Sequence, residues 1–294
     1  MKNVFPVYDI CKLSDFQQED MLISRFGSYL EKHKNLHFPH KHSFYHLVLF
    51  TKGSGTHSID FNTFKVEPHQ VYFMVPGQVH SWDFEGEVDG YLIHFSPEFF
   101  QSFLLMNDYL QQFSFFSGNA NDAVINLHAA IQPKVIVLFE DIIAESEDPG
   151  RLGPDLIRVL LLQVFILIAR QEPDSPHKQP SAYNYTLLKN FRQLIENNFT
   201  TLRLPKDYAQ LLYITPNHLN ALCNDMLGIS AGEVIRNRVL LEAKRLLTIP
   251  DLGVAEIGYR LDFNDNSYFT KFFKKYTGST PEEFRTNTLK KQTP

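Results

Sequence analysis

Residues Phe263 to Arg285 read FNDNSYFTKFFKKYTGSTPEEFR, and the reading of this stretch decides the fold. On a helix beginning near Asn266, the aromatics Phe269, Phe272, Phe273 and Tyr276 fall on one face at the i, i+3, i+4, i+7 spacing. Asn266, Ser267, Thr270, Lys271, Lys274 and Lys275 form the opposite face, which is polar and basic. The aromatic face predicts a packed core, and the basic face a surface suited to a polyanion.

Working outward, the same unit occurs twice. Leu219, Cys223, Gly228, Ser230 and Val234 match Phe269, Phe273, Gly278, Thr280 and Phe284 at an offset of 50, and Ala209, Leu212 and Ile214 match Gly258, Leu261 and Phe263 at an offset of 49. Each copy predicts a short helix, a turn and a second helix, with the small residue (Ala209, Gly258) allowing a close crossing. That is the sequence form of a helix-turn-helix. In the second copy Asn266, Ser267, Tyr268 and Thr270 are assigned to a DNA-contacting surface, with Asn266 and Ser267 nearest the base edges. Lys271, Lys274 and Lys275 are assigned to phosphates. In the first copy the outward residues are Asn217, Asn220 and Asn224, with the apolar Ala221 among them. Between the copies, Ser230-Ala-Gly-Glu233 reads as a capping box opening a helix that stops before Pro250. About 17 residues at about 1.5 Å each make a spacer of roughly 25 Å. That scale suits two recognition helices about one DNA turn, roughly 34 Å, apart.

Residues 184–288 resemble the DNA-binding domain of the AraC/XylS-type transcription regulators, through NRVLLEAKRLL and IGYRLDFNDNSYFTKFFKKYTGSTPEEFR. Two positions depart from that pattern: Asp262 stands where the family has Gly, and Gly258 where it has Ala. Asp tolerates a left-handed backbone, so the turn is expected to survive. The resemblance implies an N-terminal cupin-like β-barrel that binds an effector and a helical segment that dimerises.

The remainder of the chain agrees with that layout. Of 294 residues, 44% are hydrophobic and 21% charged, the composition of a globular protein. The longest apolar stretch, Val159 to Ala169, is interrupted by Gln163 and too short to span a bilayer. No signal peptide is read at the N-terminus, and a cytoplasmic location is expected. The cysteines, Cys11 and Cys223, form no C-x-x-C pair, which argues against a disulfide framework or a cysteine zinc site. The net charge of −5 hides a split. Residues 1–183 carry 13 Lys+Arg against 22 Asp+Glu, and residues 184–294 carry 15 against 11. A basic module is thus joined to an acidic body. Proline-rich RQEPDSPHKQPSAYN (170–184) reads as the connection.

From Leu36 to His94 short apolar runs alternate with turn signals, the pattern of a sandwich or barrel. From Pro133 to Arg170 the pattern is helical. Its second half is apolar nearly all round, which predicts either burial within the chain or packing against a second subunit. FPHKHSFYHLVLFTKGSGTHSI and PGQVHSW (76–82) resemble the two cupin motifs. Nine of twelve histidines lie between residues 33 and 94. In metal-binding cupins a Glu follows four residues after the second His, where this chain has His46; a three- or four-His site for zinc or iron is chemically reasonable. The expectation adopted is instead that His40, His42, Tyr45, His46, His80 and Trp82 line or brace an effector pocket, with no metal, cofactor or catalytic residue assigned.

The fold class expected is therefore α+β in two domains. A cupin-like effector and dimerisation domain spans 1–170, a linker 171–183, and an all-α domain with two helix-turn-helix units 184–294. The function expected is a ligand-responsive, homodimeric, sequence-specific DNA-binding regulator of transcription with an unidentified small-molecule effector. A metal-dependent cupin enzyme with a helical appendage is the alternative, and an interaction protein without nucleic acid a third.

Overall fold

The computed structural model describes residues 6–13, 20–33, 39–100, 103–104, 109–171, 182–249 and 251–290. The connection expected at 171–183 lies outside them except for Gln171, Ala182 and Tyr183, the last two already helical. The chain forms two compact units, one on either side of that connection.

The first unit is built on two five-stranded sheets. One runs in the order β1 (Val7–Tyr8), β3 (His40–His42), β8 (Val79–Phe84), β5 (Gly55–Ile59), β6 (Asn62–Lys65). The other runs β10 (Val124–Asn126), β7 (Gln70–Met74), β4 (Tyr45–Lys52), β9 (Asp89–Phe95), β2 (Met21–Arg25). Strand β1 pairs parallel with β3, and the other pairs are antiparallel. The barrel expected from sequence thus takes the form of two facing sheets.

Side-chain alternation explains the order of layers. On β4, Val48 and Phe50 turn into the core shared with Ile59 and Trp82 of the opposite sheet, together with Tyr72, Met74 and Leu92. Leu47 and Leu49 turn the other way, with Phe73, Ile93 and Phe95, against two helices. Both faces of this sheet are buried, so its central strands read as unbroken apolar runs rather than alternating ones. The helices are α3 (Gln132–Glu147) and α4 (Gly153–Ala169), each opened by a proline in its first turn. Two short helices, α1 (Ile10–Leu13) and α2 (Phe26–Lys32), lie earlier in the chain. Helix α4 buries Ile157, Leu161, Val164, Phe165 and Ile168, whereas Leu156, Val159 and Ile166 stay exposed, as does Val137 on α3. Burial within the chain therefore accounts for one face of α4 and leaves the other uncovered.

The second unit is helical throughout: α5 (Ala182–Asn198), α6 (Pro205–Leu211), α7 (Pro216–Leu227), α8 (Ala231–Leu247), α9 (Val254–Arg260), α10 (Asn266–Thr277) and α11 (Pro281–Lys290). The duplication is visible in detail. Tyr213 and Asp262 occupy the same turn position with φ of 55° and 59°, so Asp262 does take the left-handed conformation. Gly228 and Gly278 end α7 and α10 with φ of 71° and 82°, where a side chain would be strained. Thr215 and Asp265 cap the same two helices by accepting from His218 N and Tyr268 N at 3.1 and 2.7 Å. Ser230 caps α8 through Glu233 N. At Thr280 and Glu283 the capping box is reciprocal.

Each copy has its own core. Tyr208, Ala209, Leu219, Leu222 and Cys223 belong to the first, and Ile257, Leu261, Phe263, Phe269 and Phe273 to the second. Helix α8 contributes to both, with Ile235 in one and Val239, Ala243 and Leu247 in the other. Arg285, which follows the aromatic Phe284, donates to Leu247 O and Leu252 O, tying α11 to the end of α8.

Candidate functional site

Helix α10 is the element on which the DNA-binding expectation rests. Phe269 and Phe273 are buried, and Phe272 is half-buried. Asn266, Ser267, Tyr268, Lys271, Lys274 and Lys275 are exposed, and Thr270 is half-buried. Ser267, Lys271 and Lys274 follow one another at i, i+4, i+7 and define the centre of the outward face. Its two last-turn lysines also sit favourably against the negative end of the helix dipole. Phe269 seats the helix over Gly258: a methyl placed on Gly258 would stand 3.3 Å from Phe269 Cβ.

On α7, Asn217, Ala221 and Asn224 are exposed. Asn220 behaves differently. It is half-buried, and its Oδ1 accepts from Ala231 N at 3.1 Å, so the oxygen is committed to the start of α8. The matching position in the second copy is Thr270, opposite Pro281. Proline has no N–H to satisfy, which removes the need for an asparagine there. No lysine or arginine lies on α7, and its exposed face carries the amides of Asn217 and Asn224 with His218 and Asp225.

The space between the two sheets holds the other site. His40, His42, His46, His80 and Trp82 are buried there, and so are His57 and His94. Tyr45 is not among them. Alternation along β4 sends it to the outer face, where it stacks on Phe95 at 4.9 Å and packs against Phe116. His57, His94 and Tyr29 were missed by sequence reading. The strand period carried a signal for two of them: His57 shares a face with Ile59, and His94 with Leu92.

The imidazoles are joined pairwise. His42 Nε2 and His80 Nε2 lie 2.7 Å apart, His46 Nδ1 and His94 Nε2 2.8 Å, and His57 Nε2 and His80 Nδ1 3.0 Å. Burial, reinforced by neighbouring imidazoles, holds His42, His46, His80 and His94 well below the ordinary histidine value and His57 down to about 3. All five are therefore neutral at physiological pH. Among the described residues, several buried polar atoms have no partner: His42 Nδ1, His46 Nε2, His57 Nδ1, His94 Nδ1, Trp82 Nε1 and Tyr29 Oη. Each such atom costs about 1–3 kcal/mol if nothing meets it. No side chain among them forms a nucleophile–base pair.

Comparison with known proteins places these two sites in one context. Residues 23–163 match the family model described as "AraC-like ligand binding domain", and residues 208–287 the model described as "Helix-turn-helix domain". The arabinose operon regulatory protein of Escherichia coli (strain K12) is 26% identical over 245 residues, covering 82% of this chain and 80% of that protein. The HTH-type transcriptional activator RhaR of Mannheimia succiniciproducens is 23% identical, covering 88% of this chain and 91% of its own length. A crystal structure of ToxT from Vibrio cholerae covers 90% of this chain and 97% of that one at 11% identity, with a TM-score of 0.43. Among the described residues, no helix is long and apolar enough to cross a membrane. A ligand-binding-domain model and a helix-turn-helix model match in one chain, and the relatives are named as transcriptional regulators, which favours the regulatory reading over the enzyme alternative: this chain belongs to the AraC/XylS-type family of transcription regulators.

Proposed function

We propose that this protein is a cytoplasmic, homodimeric regulator in which a small molecule held between the two sheets controls how two helix-turn-helix units engage successive major grooves. The domains are proposed at 1–170 and 184–294, joined by 171–183. The observation that carries the DNA-binding half is the exposed row Ser267, Lys271, Lys274 on a helix whose opposite face is fixed by Phe269 and Phe273. Asn266 and Ser267 are assigned to base edges, and the lysines to phosphates, which set register and salt dependence. Tyr268 and Thr270 flank them, and Asn217, Asn220 and Asn224 serve the first unit. For dimerisation, the uncovered Leu156, Val159 and Ile166 of α4 supply an apolar face.

The effector reading is supported by the buried polar atoms that the protein leaves unmet. Trp82 Nε1 and Tyr29 Oη are donors; the rings of His40, His46 and His80 stand 6.1, 5.7 and 4.9 Å from that of Trp82, and the ring of His94 5.5 Å from that of Tyr29. A hydroxyl-bearing small molecule would satisfy such groups, and differential binding would shift the populations of DNA-competent states. The test is retention of genomic fragments by the purified full-length chain at two salt concentrations, with sequencing of what is bound. Enrichment of a paired site spaced by about one helical turn is expected. Uniform retention of all fragments, abolished by salt, would refute sequence-specific recognition.

A further inference from the structure

We propose that the histidine cluster is a binding site for a divalent transition-metal ion of borderline softness, zinc being the reference case, with His40, His42 and His80 as ligands. Among the described residues, these three form the one group of metal-ligating side chains that converges, each offering a nitrogen within 4.8 Å of the others. All three are buried. Their ring centroids stand 4.2 Å apart for His40–His80, 4.7 Å for His40–His42 and 4.8 Å for His42–His80.

Strand geometry accounts for the convergence. His40 and His42 are two apart on β3, so their side chains share a face, and His40 pairs with His80 across the antiparallel β3–β8 ladder. Two donors on one tetrahedral ion stand about 3.3 Å apart at metal–nitrogen distances of about 2.0 Å. The 2.7 Å between the Nε2 atoms of His42 and His80 therefore needs to open by about 0.6 Å, while donors as far as 4.8 Å apart need to close toward the same separation. His57 meets the other nitrogen of His80 at 3.0 Å, which orients the ring and leaves Nε2 facing His42. That is the position of a second-shell partner in a metal site. His46 lies parallel to His42, at an interplanar angle of 5°, so it flanks the trio rather than joining it.

The donor set limits the ion. Three imidazoles with no carboxylate or thiolate among them suit zinc, copper, nickel or iron(II), and do not suit the hard cations calcium and magnesium. Three protein ligands also leave a fourth position on a tetrahedral ion, and an oxygen of the effector is the natural occupant. That last point alone rests on the reading of the sheet domain as a sensor; metal binding does not.

The experiment uses untagged full-length protein, stripped with a chelator and reloaded with zinc or cobalt(II). One equivalent of zinc by elemental analysis is expected. Cobalt should give the intense visible bands of a site with few ligands. His42→Gln/His80→Gln should weaken zinc binding by roughly a hundredfold or more, and His57→Gln by roughly tenfold. His128→Gln/His218→Gln, at exposed positions, should leave it unchanged. Absence of the cobalt bands in the wild-type protein would overturn the proposal, whether or not the variants fold. So would full binding by His42→Gln/His80→Gln, or loss in the surface variant. Failure to retain DNA in the fragment assay would leave the metal result standing and bear only on the regulatory reading.

Discussion

Gly258 offers the sharpest test of how the DNA-contacting helix is held. A methyl at this position would stand 3.3 Å from Phe269 Cβ and 3.4 Å from the ring carbons Cδ1 and Cγ. The ring can turn, but Cβ is fixed to the backbone of α10, so α9 and α10 would have to part by a few tenths of an ångström. For Gly258→Ala that strain is offset by about 0.5–1 kcal/mol gained in helix α9, and stability should remain within about 1 kcal/mol of wild type. Gly258→Leu has no such escape. Its side chain must displace Phe269, whose exposure is 0%, and overpacking of this kind costs about 1–3 kcal/mol. For a unit of this size the upper part of that range lowers the melting midpoint by roughly 10–20 °C. The assay is thermal melting of the full chain by far-ultraviolet circular dichroism, followed in parallel by tryptophan fluorescence. The sole tryptophan, Trp82, lies in the sheet unit and identifies that unit's transition. The leucine variant should lower the helical transition and lose DNA affinity, while the alanine variant keeps both. A leucine variant that melts with the wild type would show that the close crossing does not seat α10.

Other substitutions separate structural from recognition roles. Lys274→Ala should weaken binding to all sequences alike and reduce the slope of log affinity against log salt by about one unit; loss confined to one base pair would contradict its assignment to phosphate. Asn220→Ala should destabilise the helical unit by about 1 kcal/mol because Ala231 N loses its acceptor. Asn220→Asp keeps that acceptor and should melt like the wild type, and an equal loss in both variants would show that the cap is not what matters. Burial pushes the Cys223 thiol up to about 11, so in a Cys11→Ser background it should resist alkylation at mildly alkaline pH and react only when the helical unit unfolds. Prompt labelling of the native protein would refute its burial.

Much of this architecture was legible in the sequence because local physics specifies it. The duplicated helix-turn-helix follows from the matched spacing and from the Ser230–Glu233 capping box; the caps at Thr215 and Asp265, the ends at Gly228 and Gly278 and the left-handed turn at Asp262 are likewise set within a few residues of chain. The exposed lysines of α10 follow as well, since the aromatic stripe leaves them only one direction to face. Tertiary structure decided the rest. Whether a strand residue points between the sheets or toward the helices depends on register against partners far away in sequence, which is why Tyr45 went outward while His57 and His94 came in. Asn220 became a cap for α8 because folding brought Ala231 N to it, eleven residues on. The convergence of His40, His42 and His80 likewise exists only once β3 and β8 pair. Local sequence carries caps, turns and periodicity; long-range pairing alone sets which side chains meet.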